Sequence, residues 1–438
     1  MSAKLFKIRR KLRITICLLL CLLMCLSGCR AGRGTGGKDD NYRTVYEIFV
    51  GSFCDSNGDG TGDLNGIRSK LDYIADLGFN SIWITPVHPS ATYHKYDVDD
   101  YYGIDPAFGT MEDYEALLKE CHERGIRVYM DLVLNHTSED HAWFKAASDY
   151  LHELPPGWEP DTSYCRYFDY YNFSREALDG YTHLEGTEWF YEARFWSEMP
   201  DLNLGSEAVR AEIRDIMAFW LDKGVDGFRL DAVTAYFAND TDANVGFLRF
   251  LKETACSIDP DCYLAGEAWT DSDTIAALYT SGIDSLFEFP FAGEDGLIAG
   301  TLNGSCSASA YAEGMEHAEE AYGRANPDYI GAPFYTNHDM NRSASYYPDD
   351  NGPVTKMAYA MDLFMTGSAF VYYGEELGME GDVMIVMNLR GQTARKDLSP
   401  AGKGLKLAGK LCTNEENITY KNGTLTMPAY SIAVFTWR

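Results

Sequence analysis

Short apolar runs of strand length recur along this chain at a nearly constant interval, many ending in a polar side chain, and that periodicity constrains its fold most strongly. The runs are Val45 to Val50, Ser81 to Thr85, Arg127 to Leu132, Gly227 to Asp231, Tyr263 to Glu267, Asp284 to Phe287, Tyr329 to Phe334 and Ala369 to Tyr373. Between them lie helical apolar patterns, among them Ile67 to Leu77, Met111 to Glu123, Ala208 to Asp222 and Val354 to Met365. A (β/α)8, or TIM, barrel of about 250 residues repeats roughly every 31 residues and holds its chemistry at the strand C-termini. The spacing therefore predicts an α/β barrel.

One interval, from the third run to the fourth, is longer by roughly two repeats. The excess, 137–200, is predicted to be an inserted domain, rich in aromatic residues such as Trp143, Trp158, Tyr164, Tyr170, Trp189 and Trp196. At the other end, FVYYGEELGMEG (370–381) passes directly into DVMIVMNLRG, which reads as a strand of a C-terminal β domain. The eighth barrel helix is therefore expected to be missing, and its absence to expose apolar surface, costly at roughly 25 cal/mol per Å². The expected parts are a leader at 1–28, a tether at 29–41, the barrel at 42–136 and 201–381, the insertion, and a truncated β domain at 382–438.

Four acidic segments stand in order where these runs end: DLVLNH (131–136), GFRLDAV (227–233), GEAW (266–269) and FYTNHD (334–339). Along a strand alternate side chains share a face, so Arg229 and Asp231 point together into the barrel mouth. A guanidinium beside a carboxylate favours the charged form and is expected to lower the Asp231 pKa by roughly 1 to 3 units. Glu267 closes the fifth strand after apolar Tyr263, Leu264 and Ala265, a setting that suits a proton-donating acid.

These four segments closely resemble the signature regions of the alpha-amylase family of glycoside hydrolases. The resemblance implies that Asp231 is the nucleophile, Glu267 the acid/base and Asp339 the third carboxylate, with Arg229, His136 and His338 at the same sugar ring. It implies retention of configuration, for which the two reacting carboxylates stand about 5 to 5.5 Å apart. The inserted domain corresponds to domain B, one wall of the substrate cleft. In YHKYDVDDYYGIDPAFGT, Tyr96 resembles the tyrosine that stacks under the cleaved sugar. Exo-acting α-glucosidase and oligo-1,6-glucosidase relatives carry an Asp three residues before it, where this chain has Tyr93. MPDLN (199–203) resembles an intermediate group between oligo-1,6-glucosidases and neopullulanases. The expected activity is endo cleavage of α-1,4-glucosidic bonds in starch or maltooligosaccharides. The competing expectations are an α-glucosidase, an oligo-1,6-glucosidase or a transglycosylase of the same family. From another class comes a non-catalytic glucan-binding surface lipoprotein with a damaged barrel.

The loop DSNGDGTGD (55–63) places oxygen ligands at alternate positions, Asp55, Asn57, Asp59, Thr61 and Asp63, a pattern suited to a hard cation. Position 12 of an EF-hand would be Gly66, which excludes that motif; the loop resembles the structural calcium loop found in part of the family. Lys4, Lys7, Arg9, Arg10, Lys11 and Arg13 precede the apolar stretch Ile14 to Leu26, a secretory leader too short to span a bilayer core of roughly 20 residues. Leu26, Ser27, Gly28 and Cys29 resemble the bacterial lipobox, which implies lipidation of Cys29 and an enzyme anchored at the outer face of the cell membrane. The formal charge of −29 makes nucleic acid an unfavourable partner and leaves neutral oligosaccharides unaffected. Of 11 cysteines, four lie in the leader and lipobox; the other seven are scattered and form no disulfide framework, although Cys256 and Cys262 are near enough in sequence to pair. The chain is expected to be a monomer.

Overall fold

The computed structural model describes residues 43–438 except 239, 348–351, 380–382, 389–391, 398–404, 413–417, 429–430 and 438. The leader, the tether and Cys29 lie outside the described residues. Seven barrel strands are formed: β1 Thr44–Ile48, β2 Ser81–Ile84, β3 Arg127–Leu132, β4 Gly227–Leu230, β5 Tyr263–Gly266, β6 Ser285–Leu286 and β7 Ala369–Tyr372. They make one parallel sheet in the order β7-β1-β2-β3-β4-β5-β6. Two parallel bridges, Phe287 to Ala332 and Phe334 to Phe370, close the circle.

The seventh barrel position, expected as a strand over Tyr329 to Phe334, is reduced to those bridges. Pro333 explains this, because it has no N–H for the ladder; its carbonyl still accepts from Phe370 N at 2.9 Å. Gly331 is required beside it, since a Cβ there would stand 2.2 Å from the Thr366 carbonyl oxygen.

Strand alternation sorts the side chains into two cores. Val45, Trp83, Tyr129, Tyr263, Ala265, Phe287, Phe334 and Phe370 fill the barrel interior. Tyr46, Ile48, Ile82, Ile84, Val128, Met130, Phe228, Leu230 and Leu264 point outward into the core shared with the helices. Each such side chain contributes about 1.5–3 kcal/mol when fully buried. The outer helices include Met111–Glu123, Glu207–Lys223, Thr241–Ile258, Ala308–Ala325 and Pro353–Leu363. The helix expected over Ile67 to Leu77 is broken into Leu64–Arg68 and Leu71–Asp76. At the break the Ser69 hydroxyl donates to the Gly66 carbonyl at 2.7 Å, offering the backbone an alternative to the helical ladder.

The insertion leaves the barrel after β3 and returns before Glu207–Lys223. It consists of a helix, Ala142–Glu153, a short 3-10 turn, Arg166–Tyr170, and an antiparallel sheet in the order Phe173–Ser174, Phe190–Glu192, Tyr181–His183. Its ends are tied together: Thr137 N donates to Pro200 O at 3.1 Å and Glu139 N to Glu198 O at 2.9 Å. Phe144, Tyr170, Tyr171 and Tyr191 pack as its core, whereas Trp158, Tyr164, Phe195 and Trp196 are exposed.

After β7 come a 3-10 turn, Glu375–Leu377, and then strand Val383–Asn388, with no barrel helix between them among the described residues. The expected exposure is seen in part: Leu377 in the turn after β7, and Met357, Leu363 and Phe364 on the helix before β7 and at its end, are exposed large apolar side chains, whereas the strands themselves are covered. Tyr46 of β1 and Val371 of β7 are buried; the Tyr46 ring packs on Phe79 and Phe53, and its hydroxyl donates to Glu376 Oε1 at 2.8 Å. Local aromatic packing thus takes over part of the helix's role. The C-terminal part forms two three-stranded antiparallel sheets, Val383–Asn388 with Ser431–Trp437 and Leu405–Cys412, and Ala394–Asp397 with Thr424–Met427 and Thr419–Lys421. The six cysteines with described side chains, Cys256 and Cys262 among them, are free thiols.

Candidate active site

The C-terminal ends of the strands deliver charge into one point. Arg229, fully buried in β4, donates from Nη1 to Asp231 Oδ1 at 2.7 Å and to Asp131 Oδ1 and Oδ2 at 2.9 and 3.1 Å. Its other arm, Nη2, donates to Glu267 Oε2 at 2.8 Å. Glu267 also accepts from Ala232 N at 3.0 Å. The guanidinium carbon lies 4.9 Å from the centre of the Trp83 ring, and Trp83 Nε1 donates to Asp131 Oδ2 at 3.1 Å. One cation thus holds three carboxylates.

The expected lowering of the Asp231 pKa is reversed. Burial acts first and pushes its carboxyl well up; Arg229 opposes this, while the charges of Glu267 and Asp131 add to it. Burial likewise raises Asp131, against Arg229. The physical reason is that a single guanidinium, itself removed from water, is divided among three acids and cannot offset the desolvation of each.

Tyr96 reaches into this cluster from the loop after β2. Its hydroxyl donates to Asp131 Oδ2 at 3.0 Å and is 2.7 Å from His338 Nε2, and the two rings stack 5.5 Å apart at 7°. His338 Nδ1 lies 2.7 Å from Glu47 Oε1, and Nε2 lies 3.2 Å from Asp339 Oδ2. Burial disfavours the imidazolium, but the bond and charge of Glu47 and the charge of Asp339 outweigh it and raise the pKa to about 9. At Glu47 burial outweighs the hydrogen bonds and charge of His338 and raises the pKa.

His136 behaves oppositely. Burial lowers its pKa to about 4, so the ring is neutral. Nδ1 faces the Asn135 amide at 3.4 Å, and Nε2 is buried without a hydrogen-bond partner. Asn135 Nδ2 donates to Asp201 Oδ1 at 3.0 Å, joining the strand end to MPDLN.

All seven residues expected to react with or bind sugar meet here. Tyr96, His136, Asp231, Glu267, His338 and Asp339 line one cleft of about 1350 Å³, and Arg229 forms its floor. That exceeds the roughly 300–1,000 Å³ of small-molecule pockets and suits several sugar rings. Asp339 stands at the rim, with a 45 % exposed side chain, and is oriented through Asn337 Oδ1, which accepts from its N–H at 3.0 Å. Phe195, Trp196 and Met199 of the insertion form part of the wall.

Three buried supports have no role in the sequence reading: Glu47, Trp83 and Asp131. Their signal was strand alternation, since Glu47 follows inward Val45 by two residues and Asp131 follows inward Tyr129 by two.

The loop 55–63 does not join this cluster. Asp55 accepts from Asn57 N, Gly58 N and Gly60 N at 2.6–3.0 Å, bonds that hold its carboxyl below the usual range. Asn57 Oδ1 accepts from Asp59 N and Asp59 Oδ1 from Thr61 N. Asp63 accepts from Ser56 and caps Leu64–Arg68 through Gly66 N. The all-oxygen donor set has the chemistry of a hard-cation loop. Among the described residues, however, no three acids, histidines or cysteines are gathered as a metal-holding group.

A parallel barrel with paired carboxylates at its mouth has the architecture of the glycoside-cleaving barrel class. Comparison gives the family. The model of the alpha-amylase catalytic domain matches residues 47–408, and the chain belongs to the alpha-amylase family. It is 41% identical over 341 residues to alpha-amylase 3 of Dictyoglomus thermophilum, covering 77% of this chain and 64% of the relative. It is 34% identical over 360 residues to glucan 1,6-alpha-glucosidase of Streptococcus pneumoniae, covering 76% and 65%. It thus spans just under two thirds of the length of these relatives. The solved structure of Eubacterium rectale Amy13B is 41% identical with a TM-score of 0.77, covering 91% of this chain and 96% of that one. An alpha-amylase from H. orenii is 29% identical with a TM-score of 0.67, covering 91% and 100%.

Proposed function

We propose that this protein is a retaining α-glucan hydrolase that cuts internal α-1,4 bonds of starch or maltooligosaccharides. The observation that carries the reading is the Arg229 guanidinium holding Asp231 on one arm and Glu267 on the other at the floor of a long cleft. Asp231 attacks the anomeric carbon while the bond to the leaving oxygen breaks and that oxygen takes the proton of Glu267. Glu267 then removes a proton from water, and water displaces Asp231. Burial raises the Asp231 pKa; positive charge developing on the sugar favours the ionised nucleophile. Asp339 faces that charge from the rim. Neutral His136 donates from Nε2 to a sugar hydroxyl, and His338, as the cation, holds Tyr96 and faces Asp339 beneath the sugar.

The experiment is the release of reducing ends from soluble starch by the full chain, beside Asp231→Asn. Equal rates in the two proteins would overturn the reading and leave a glucan-binding protein. Several relatives are named glucosidases, so isomaltooligosaccharides and maltose serve as controls; faster cleavage of either would move the assignment to exo or α-1,6 action. We also propose that Asp55, Asn57, Asp59, the Thr61 carbonyl and Asp63 take Ca²⁺ as a structural ion, and that the protein is exported and lipidated on Cys29.

A further inference from the structure

Beside the nucleophile the backbone departs from the sheet at one residue. Leu230 of β4 pairs with Gly266 of β5 in parallel register, and Glu267 N still donates to Leu230 O at 2.9 Å. In a regular parallel ladder the Glu267 carbonyl would next accept from Ala232, the residue after its register partner Asp231. It accepts instead from Val233 N at 3.0 Å. One residue too many thus lies on the β4 side, the mark of a β-bulge, a feature that gathers beside active sites and re-aims what it carries. Ala232 absorbs the extra length with φ 44°, a left-handed conformation that glycine or asparagine adopts far more readily than alanine.

The bulge frees one donor. The Ala232 N–H, no longer used by the ladder, turns to the acid/base and donates to Glu267 Oε2 at 3.0 Å. The same oxygen accepts from Arg229 Nη2 at 2.8 Å. Both partners can only donate, so a proton on Oε2 would have to displace one of them. Oε1 has no bonding partner among the described residues, and Glu267 lines the cleft. We propose that Ala232 is a positioning residue: its left-handed backbone holds Glu267 by Oε2 and so assigns the transferable proton to Oε1, the oxygen left open to the glycosidic bond. In the first step that proton passes from Oε1 to the departing oxygen, which keeps the electron pair of the broken C1–O bond while Asp231 closes on C1. A β-branched side chain disfavours the left-handed conformation and would swing the N–H away from Glu267, whereas asparagine, of similar size, tolerates it.

This rests on the hydrolase reading, and the test separates the two. A sugar alcohol leaves with a proton from Glu267, whereas fluoride leaves without one, and kcat/KM reads the step in which either departs. With the full chain, Ala232→Val is expected to lower kcat/KM on maltotetraose about 10²-fold, the scale of general-acid catalysis, while that on α-maltosyl fluoride stays within about threefold. Ala232→Asn should keep both close to the wild type. Equal losses on the two substrates would reduce Ala232 to a structural role; a Val variant unaffected on both, or an Asn variant as impaired as the Val one, would equally overturn the proposal. If the wild type cleaves neither substrate, the hydrolase reading fails, and the hold on Glu267 is read from amide exchange instead. The Ala232 N–H should then exchange about tenfold faster in Glu267→Ala than in the wild type, and unchanged exchange would refute it.

Discussion

The two ends of the barrel interior are built from the same strands by the same alternation, yet they do opposite work. The lower layers, Val45, Tyr129, Tyr263, Phe287 and Phe370, are apolar and packed ring against ring, as in Phe287 and Phe370 at 4.7 Å. The mouth, one step further along, holds Glu47, Asp131, Arg229, Asp231 and Glu267 at comparable burial. Charges in that setting are expensive to bury, and the packed layers beneath supply the stability that lets the mouth keep them.

The contrast is broken most sharply by Asp231→Asn, for which starch hydrolysis should fall about 10⁴-fold. Its melting free energy should move by only about 1 kcal/mol, because Arg229 keeps Asp131 and Glu267 as partners. Phe287→Ala should do the reverse, costing about 3–5 kcal/mol in denaturant unfolding while kcat of the folded fraction stays within a few-fold of wild type. Similar activity losses in the two variants would erase the distinction.

Two pH measurements sharpen it. Since Asp231 is raised and must be ionised to attack, kcat/KM should fall with acid at a pH above the ordinary aspartate value of about 3.9. For His338 the folded pKa of about 9 exceeds the ordinary imidazole value of 6.5. Its contribution is fully present below 6.5 and lost as pH rises through 9. The melting midpoint should therefore drop by a few degrees over that window, and the drop should shrink in His338→Gln. The smallest effect is expected from chelation, which should lower the midpoint slightly by emptying the 55–63 loop; an unchanged midpoint would remove calcium from this account.

The barrel and the gathering of the candidate acids at its mouth were legible because both depend on local rules, strand periodicity and the position at which a strand ends. Alternation turns Glu47, Trp83 and Asp131 inward, but their roles were not legible, since Asp131 and Trp83 gain meaning only when the neighbouring strand places Arg229 against them and Glu47 only when His338 meets it. The Asp231 pKa was misread for a related reason: sequence pairs it with one arginine, while the fold divides that arginine among three acids. Pro333 could have warned that the seventh strand would be short. The partial cover of the outer face by Tyr46, Phe53, Phe79 and Glu376 required the tertiary packing itself.

The backbone bond between Thr137 and Pro200 has a consequence for how such a barrel can change. To the strands, the whole insertion is a bead on a closed ring, entering and leaving through one hydrogen-bonded gate. Its length and its cleft-facing aromatics can be rewritten without altering the register of β3 or β4. Selection can thus rework one wall of the cleft while the charged floor keeps its geometry.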